Sequence, residues 1–200
     1  APVFLLLRHI FFNSFSQKLF HSMNRKLANE ELGRLDIESF RKEDKNQLIA
    51  ILDNVRSLNN IGSVFRTADA FAIEAVYLCG ITAKPPHREI NKTALGATES
   101  VNWTYFEDTQ TAVKKLKEDG WKVYAIEQTE NSILLNEFKP LSDEKIALIF
   151  GHEVKGVEQK VINQCDGVIE IPQKGTKHSL NISVSAGVVI WDLVNKLDGI

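Results

Sequence analysis

Five polar residues of this chain stand where polar residues can do chemistry: Asn60, Arg66, Glu153, Ser179 and Asn181. Asn60 and Arg66 belong to the run from Asn54 to Phe71, in which Ile61, Val64, Phe65, Ala68 and Ala72 recur at helical spacing and must face a core. That leaves Asn59, Gly62, Arg66 and Asp69 on the opposite side of the helix. A glycine there lets another chain or a ligand come close, and the forked guanidinium suits phosphate or carboxylate. The same spacing also permits an ordinary surface pair between Arg66 and Asp69.

Glu153 follows the apolar run Ile146-Ala-Leu-Ile-Phe within Gly151-His-Glu-Val-Lys-Gly156. Two glycines around a carboxylate make a tight turn whose backbone can lie against a flat ligand; a plain strand-to-helix turn capped by the glutamate fits as well. His152-Glu153 resembles the start of a zinc-protease motif, but the second histidine is missing where Gly156 stands, so no metal site is supported. Ser179-Leu-Asn181 opens a run rich in small and apolar residues, from Ile182 through Leu193. Ser179 can simply cap that helix. Asn181, a polar amide entering a buried helix, needs a partner.

The elements that must hold these residues alternate. Strands are predicted at 48–52, 75–78, 123–126, 146–150 and 168–171, and helices at 61–72, 109–119, 157–164 and 180–197. The alternation predicts an α/β domain, a parallel sheet with helices on both faces, in which ligands sit beyond the carboxyl ends of the strands. The final helix, apolar all round, must be buried on most sides, and a subunit interface can supply part of the cover.

Composition excludes several classes. The 200 residues are 44% hydrophobic and 25% charged with 11 Gly and 5 Pro, which fits neither a disordered nor a collagenous chain. With 24 basic against 26 acidic residues the net charge is −2, so the chain lacks the bulk positive field of many nucleic-acid binders. RNA binding then requires local clusters, for which Arg41, Lys42, Lys45, Arg56, Lys155, Lys174 and Lys177 are candidates, each equally readable as a solvated surface cation. Two widely spaced cysteines, Cys79 and Cys165, form neither a zinc site nor a secreted scaffold and suggest the cytoplasm.

Residues 1–44 are expected to be an amino-terminal extension, largely helical, with an amphipathic pattern over 15–35 whose Lys18, Arg25, Lys26 and Arg34 can meet phosphate or solvent. The apolar start is broken by Arg8 and His9 and reads as neither signal peptide nor membrane span. Met23 is the only methionine, which raises the question whether residues 1–22 belong to the natural chain. No repeat or linker divides 45–200, so that stretch is expected to be one domain.

In this order the three segments resemble the SpoU family of RNA ribose 2′-O-methyltransferases, of the SPOUT class, over roughly residues 45–200. Lys92-Thr-Ala-Leu-Gly-Ala97 is similar to the family's segment between its first two motifs. The resemblance implies a carboxyl-terminal deep trefoil knot, S-adenosylmethionine as cofactor, a homodimer, and structured RNA as substrate. It also implies functional roles for Asn60, Arg66, Glu153, Ser179 and Asn181, and contacts from Gly151, Ile171 and Leu180 to the cofactor's adenosine. Arg66 is then expected to reach the other subunit's methyl donor. Only about forty residues precede the core, which favours transfer RNA over ribosomal RNA as substrate. Two alternatives stay open, an RNA-binding protein of this fold without catalysis and a base-directed RNA methyltransferase.

Overall fold

The computed structural model describes residues 24–198, which fall into two compact units divided after Asp36. In the first, residues 24–36 hold one 3-10 turn, Asn29–Leu32, which ends at a left-handed Gly33. Arg25 donates to both Glu31 carboxylate oxygens, at 3.0 and 2.7 Å, and Glu31 accepts the Ala28 N–H. The amphipathic helix expected over 15–35 is therefore not found in its described part, since Gly33 stops the chain after a single turn; residues 15–23 lie outside the described residues.

The second unit begins eight residues earlier than the domain expected from 45, because the helix α1 (Ile37–Lys42) belongs to it. Arg41 donates to the Glu99 carbonyl, and the Lys45 ammonium lies 3.7 Å from the centre of the Phe40 ring. Two of the candidate RNA-binding cations thus hold this unit together.

Seven parallel strands follow: β1 (Asn46–Asp53), β2 (Ile73–Cys79), β3 (Trp103–Phe106), β4 (Lys122–Ile126), β5 (Ile133–Leu134), β6 (Ile146–Phe150) and β7 (Gly167–Glu170). Their order in the sheet is β3-β2-β1-β6-β4-β7-β5. The helices are α2 (Leu58–Ala70), α3 (Arg88–Ala94), α4 (Ala97–Ser100), α5 (Thr109–Glu118), α6 (Gln159–Ile162) and α7 (Ile182–Asp198).

Burial explains why the central strands are continuous apolar runs. Leu48, Ala50 and Leu52 of β1 point into a core shared with α2 and α7, whereas Ile49 and Ile51 point into the one shared with α5. On β6, Ile146, Leu148 and Phe150 take the first side and Ala147 and Ile149 the second. A strand covered on both faces has no polar side to display.

The carboxyl end of β1 is pinned. Asp53 is 2% exposed and its carboxylate accepts the Thr109 hydroxyl and the Asn54 amide; burial pushes its pKa up, against the pull of those two bonds. Asn54 takes a left-handed backbone (φ 56) and its Oδ1 accepts the Ile81 N–H. This fixes the entry into α2, where Ser57 caps the helix by accepting the Asn60 N–H. Among the described residues no helix is long and apolar enough to cross a membrane.

Candidate active site

The apolar face of α2 is buried as its spacing predicts at Ile61, Val64, Phe65 and Ala68, whereas Ala72 lies beyond the helix end at Ala70, half-buried and with a left-handed backbone (φ 45). The other stripe of α2 is largely a docking face for α3 and α4. Thr93 donates to the Asn59 carbonyl at 3.0 Å, and a side chain at position 62 would collide with the Ile90 carbonyl and Thr93 hydroxyl. Asp69 accepts the Ser100 hydroxyl at 2.5 Å, so it serves α4, and among the ion pairs of the described residues there is none between it and Arg66. Arg66 remains exposed. The close approach that Gly62 permits is therefore made by this chain's own α3.

The three motifs meet through side chains. Glu153, in the turn after β6, accepts the Ser57 N–H at 2.9 Å, the Arg56 N–H at 3.2 Å and the Asn60 amide at 3.4 Å. A carboxylate at the start of α2 also complements the helix dipole. Burial raises the Glu153 pKa, but the hydrogen bonds from the Ser57, Glu153 and Arg56 backbones and the Asn60 amide outweigh it and hold it below the usual carboxylate value. It is a fixed anion, unsuited to accept a proton near neutrality. Asn60 Oδ1 in turn accepts the Asn181 amide at 3.2 Å.

Asn181, and not Ser179, caps α7: its Oδ1 accepts the Ser183 N–H at 2.8 Å and the Ser183 hydroxyl at 2.7 Å. The partner that Asn181 needs is thus Asn60 on one side and its own helix on the other. Ser179 is left free of the capping role and lines a cavity of about 670 Å³.

That cavity lies beyond β4, β6 and β7. Gly151, Ile171 and Leu180 line it, as do Glu153 and Asn181, together with Ile126, Glu127 and Phe150. Asn60 stands behind Glu153 and Asn181, and Arg66 is not among the lining residues. At Gly151 a side chain would run into the backbone of Gly156 and Val157, so the turn can fold onto itself only without one. His152 and Gly156 exchange backbone hydrogen bonds at 3.1 and 2.8 Å across that turn. His152 Nδ1 accepts the Val154 N–H at 3.0 Å and the Lys155 N–H at 3.3 Å, and His152 also lines the cavity.

Glu127, which also lines the cavity, stands in none of the three motifs. Its position was legible, since it immediately follows the strand read at 123–126, but a lone glutamate carries no motif. The cysteines offer no nucleophile: burial pushes the Cys79 thiol up to about 12 and the Cys165 thiol up to about 11. Among the described residues no group of three or more His, Cys, Asp or Glu is placed to hold a metal ion.

The lining combines apolar with polar and charged side chains, at a volume usual for small-molecule sites. A cavity beyond the carboxyl ends of a parallel sheet lies where α/β proteins bind their ligands. Residues 47–191 match the SpoU rRNA Methylase family. The chain belongs to that family and is an S-adenosylmethionine-dependent RNA methyltransferase. It is 31% identical over 181 residues to an uncharacterized tRNA/rRNA methyltransferase of Borreliella burgdorferi, across 90% of this chain and 77% of that one. It is likewise 31% identical to the tRNA (guanosine(18)-2′-O)-methyltransferase of Thermus thermophilus, across 81% of each. Its fold is similar to the crystal structure of the A. aeolicus TrmH/SpoU tRNA modifying enzyme, with a TM-score of 0.71, 23% identity, and coverage of 82% of this chain and 83% of that one.

Proposed function

We propose that this chain methylates a ribose 2′-hydroxyl of a structured RNA, with transfer RNA as the preferred class. The observation that carries the reading is the hydrogen-bonded chain from Glu153 through Asn60 to Asn181, which joins the three motifs beside one cavity. The preference for transfer RNA draws on the Thermus relative, whose substrate is guanosine 18 of tRNA.

Gly151, Ile171 and Leu180 would hold the adenosine of S-adenosylmethionine, which when bound supplies an electrophilic methyl group. Ribose methylation then needs the 2′-oxygen held in line, and positioning supplies much of the rate. Arg66 keeps its proton under ordinary conditions, so its part is to orient the 2′-hydroxyl and the adjoining phosphate and to stabilise negative charge growing on the oxygen. Glu153, Asn60 and Asn181 fix the start of α2 against α7, and Ser179 presents its hydroxyl at the cavity. Arg56, Lys155, Lys174 and Lys177, exposed on the loops around the cavity, offer phosphate contacts despite the net charge of −2.

Arg66 lies on α2 outside the cavity lining, which supports a homodimer in which it serves the neighbour's site. The surface of α7 supports the same assembly. Ala186, Val189, Ile190 and Leu193 are buried, whereas Val184, Val188 and Trp191 are 50%, 39% and 57% exposed. The helix expected to be buried on most sides is buried on one face within the chain, and a second subunit would cover the other. We also read the carboxyl-terminal segment as a deep trefoil knot. Its support is the strand order, in which β6 lies between β1 and β4 and β7 between β4 and β5. The two free cysteines suit the cytoplasm.

The test is incubation with labelled S-adenosylmethionine and, separately, purified unmodified transfer RNA and ribosomal RNA, followed by nucleoside analysis. Label in a 2′-O-methylnucleoside from transfer RNA is the expected result. Label on a base, or cofactor binding without turnover on either RNA, would overturn it.

A further inference from the structure

Glu127 has no part in the mechanism above, yet it lines the cavity. It follows β4, which lies between β6 and β7 in the sheet, the strands that lead into the other two walls. Its backbone N–H donates to the Ile169 carbonyl of β7 at 3.2 Å. Its Oε2 accepts the Val157 N–H at 3.1 Å, and its Oε1 accepts the Gln128 N–H at 2.9 Å. One residue is therefore bonded both to the strand that leads into Ile171 and to the turn that carries Gly151 and Glu153. The seat is shaped for it: Gly156 adopts φ +65, and a side chain there would occupy the place of Glu127 Oε2. Hydrogen bonds from backbone N–H to a carboxylate are charge-assisted and stronger than neutral ones.

We propose that Glu127 is a positioning residue for cofactor binding: its carboxylate latches the turn of residues 151–157 to the end of β4 and holds two walls of the cavity at a fixed spacing. The inference rests on the reading of this cavity as the S-adenosylmethionine site. The latch involves neither RNA nor the reacting atoms, so its loss acts on cofactor affinity. The methyl donor and the demethylated product share the adenosine and the amino-acid tail, and both should feel it alike.

The experiment is calorimetric titration of the full chain, wild type, Glu127→Ala and Glu127→Gln, with S-adenosylmethionine and with S-adenosylhomocysteine, alongside amide hydrogen exchange and thermal unfolding. Glu127→Ala should weaken both ligands about tenfold or more, the loss expected for a hydrogen bond to a charged group. Glu127→Gln keeps one acceptor oxygen for the Val157 N–H and should recover part of that affinity. The Val157 amide should exchange faster in Glu127→Ala, while exchange in β1 stays near wild type and the thermal midpoint falls by no more than the loss of one such bond. Wild-type affinity in Glu127→Ala, or unchanged Val157 protection in both variants, would overturn the latch. A wild-type chain that binds neither ligand would instead overturn the cofactor reading, and the Val157 exchange would still decide whether the latch exists.

Discussion

The Asn181 amide donates to Asn60 Oδ1 at 3.2 Å across 121 residues of sequence, and the other end of the same Asn181 side chain caps α7. The two duties separate by substitution. Asn181→Asp keeps an acceptor for the Ser183 N–H but has no donor for Asn60, whereas Asn181→Ala loses both. Asn181→Asp should therefore unfold near the wild-type urea midpoint yet turn over RNA about tenfold to a hundredfold more slowly, through lost positioning. Asn181→Ala should in addition lose about 1 kcal/mol of stability, as capping residues do. Urea titration and single-turnover methylation of the two variants check this; equal stability of both would refute the capping role.

Glu153 fixes the expected pH behaviour. Its folded-state pKa lies below the unfolded value, so the stability it contributes is present above the unfolded carboxylate value and is lost as pH falls through the lowered folded one. The stability difference between wild type and Glu153→Gln should be constant from about pH 8 to about pH 5 and should shrink in more acidic solution. Urea titrations at several pH values measure it. Because Glu153 stays ionised throughout the neutral range, it should add no inflection to the pH–rate profile there.

Gly62 carries a packing prediction. A methyl group at this position meets the Ile90 carbonyl, which is backbone and cannot swing aside. Gly62→Ala should force α2 and α3 apart and cost about 1–3 kcal/mol in a urea titration, despite the better helix propensity of alanine. Wild-type stability in that variant would mean that the two helices do not pack this closely.

What could be read from the chain alone follows from burial. β1, β2, β4, β6 and β7 were legible as apolar runs because most of their residues face the core on one side of the sheet or the other. β3 was not, because the four edge residues Trp103–Phe106 are all partly exposed and mix Thr and Tyr with apolar neighbours. The two-residue β5 is too short for any period to show. α3 escaped because its seven residues bury only Ile90 and Ala94, too few for a periodic signal. Among the site residues, Glu153, Asn60 and Asn181 were legible as motif members, but their mutual bonds were not, since spacing within a segment says nothing of contacts across 93 or 121 residues.

Trp191 tests the assembly. With Val184 and Val188 it forms an apolar stripe along one face of α7, on the side away from the core. Trp191→Glu should place a charge in the proposed subunit interface and leave the interior untouched. The variant is expected to sediment as a folded monomer with a wild-type circular dichroism spectrum and to lose methylation activity. A wild-type chain that sediments as a monomer would refute the dimer directly.

Arg66 and Asn181 together distinguish a site built by one chain from a site completed by its neighbour. Arg66→Ala and Asn181→Asp subunits, each slowed about tenfold or more alone, are mixed and allowed to exchange, and the activity of the mixture is read against the mean of the two separate variants. If each arginine serves its own chain's cavity, every site in a mixed dimer carries one defect and activity stays low. If Arg66 serves the partner's cavity, a mixed dimer has one site with both defects and one with neither. Random exchange at equal concentrations makes half of the dimers mixed, so activity should rise to about a quarter of wild type. Arg66→Lys, assayed alone, should be slowed about a hundredfold, because an ammonium cannot reproduce the two-pronged hold on hydroxyl and phosphate. Near-normal turnover in that variant, or no gain on mixing, would remove Arg66 from the role given to it here.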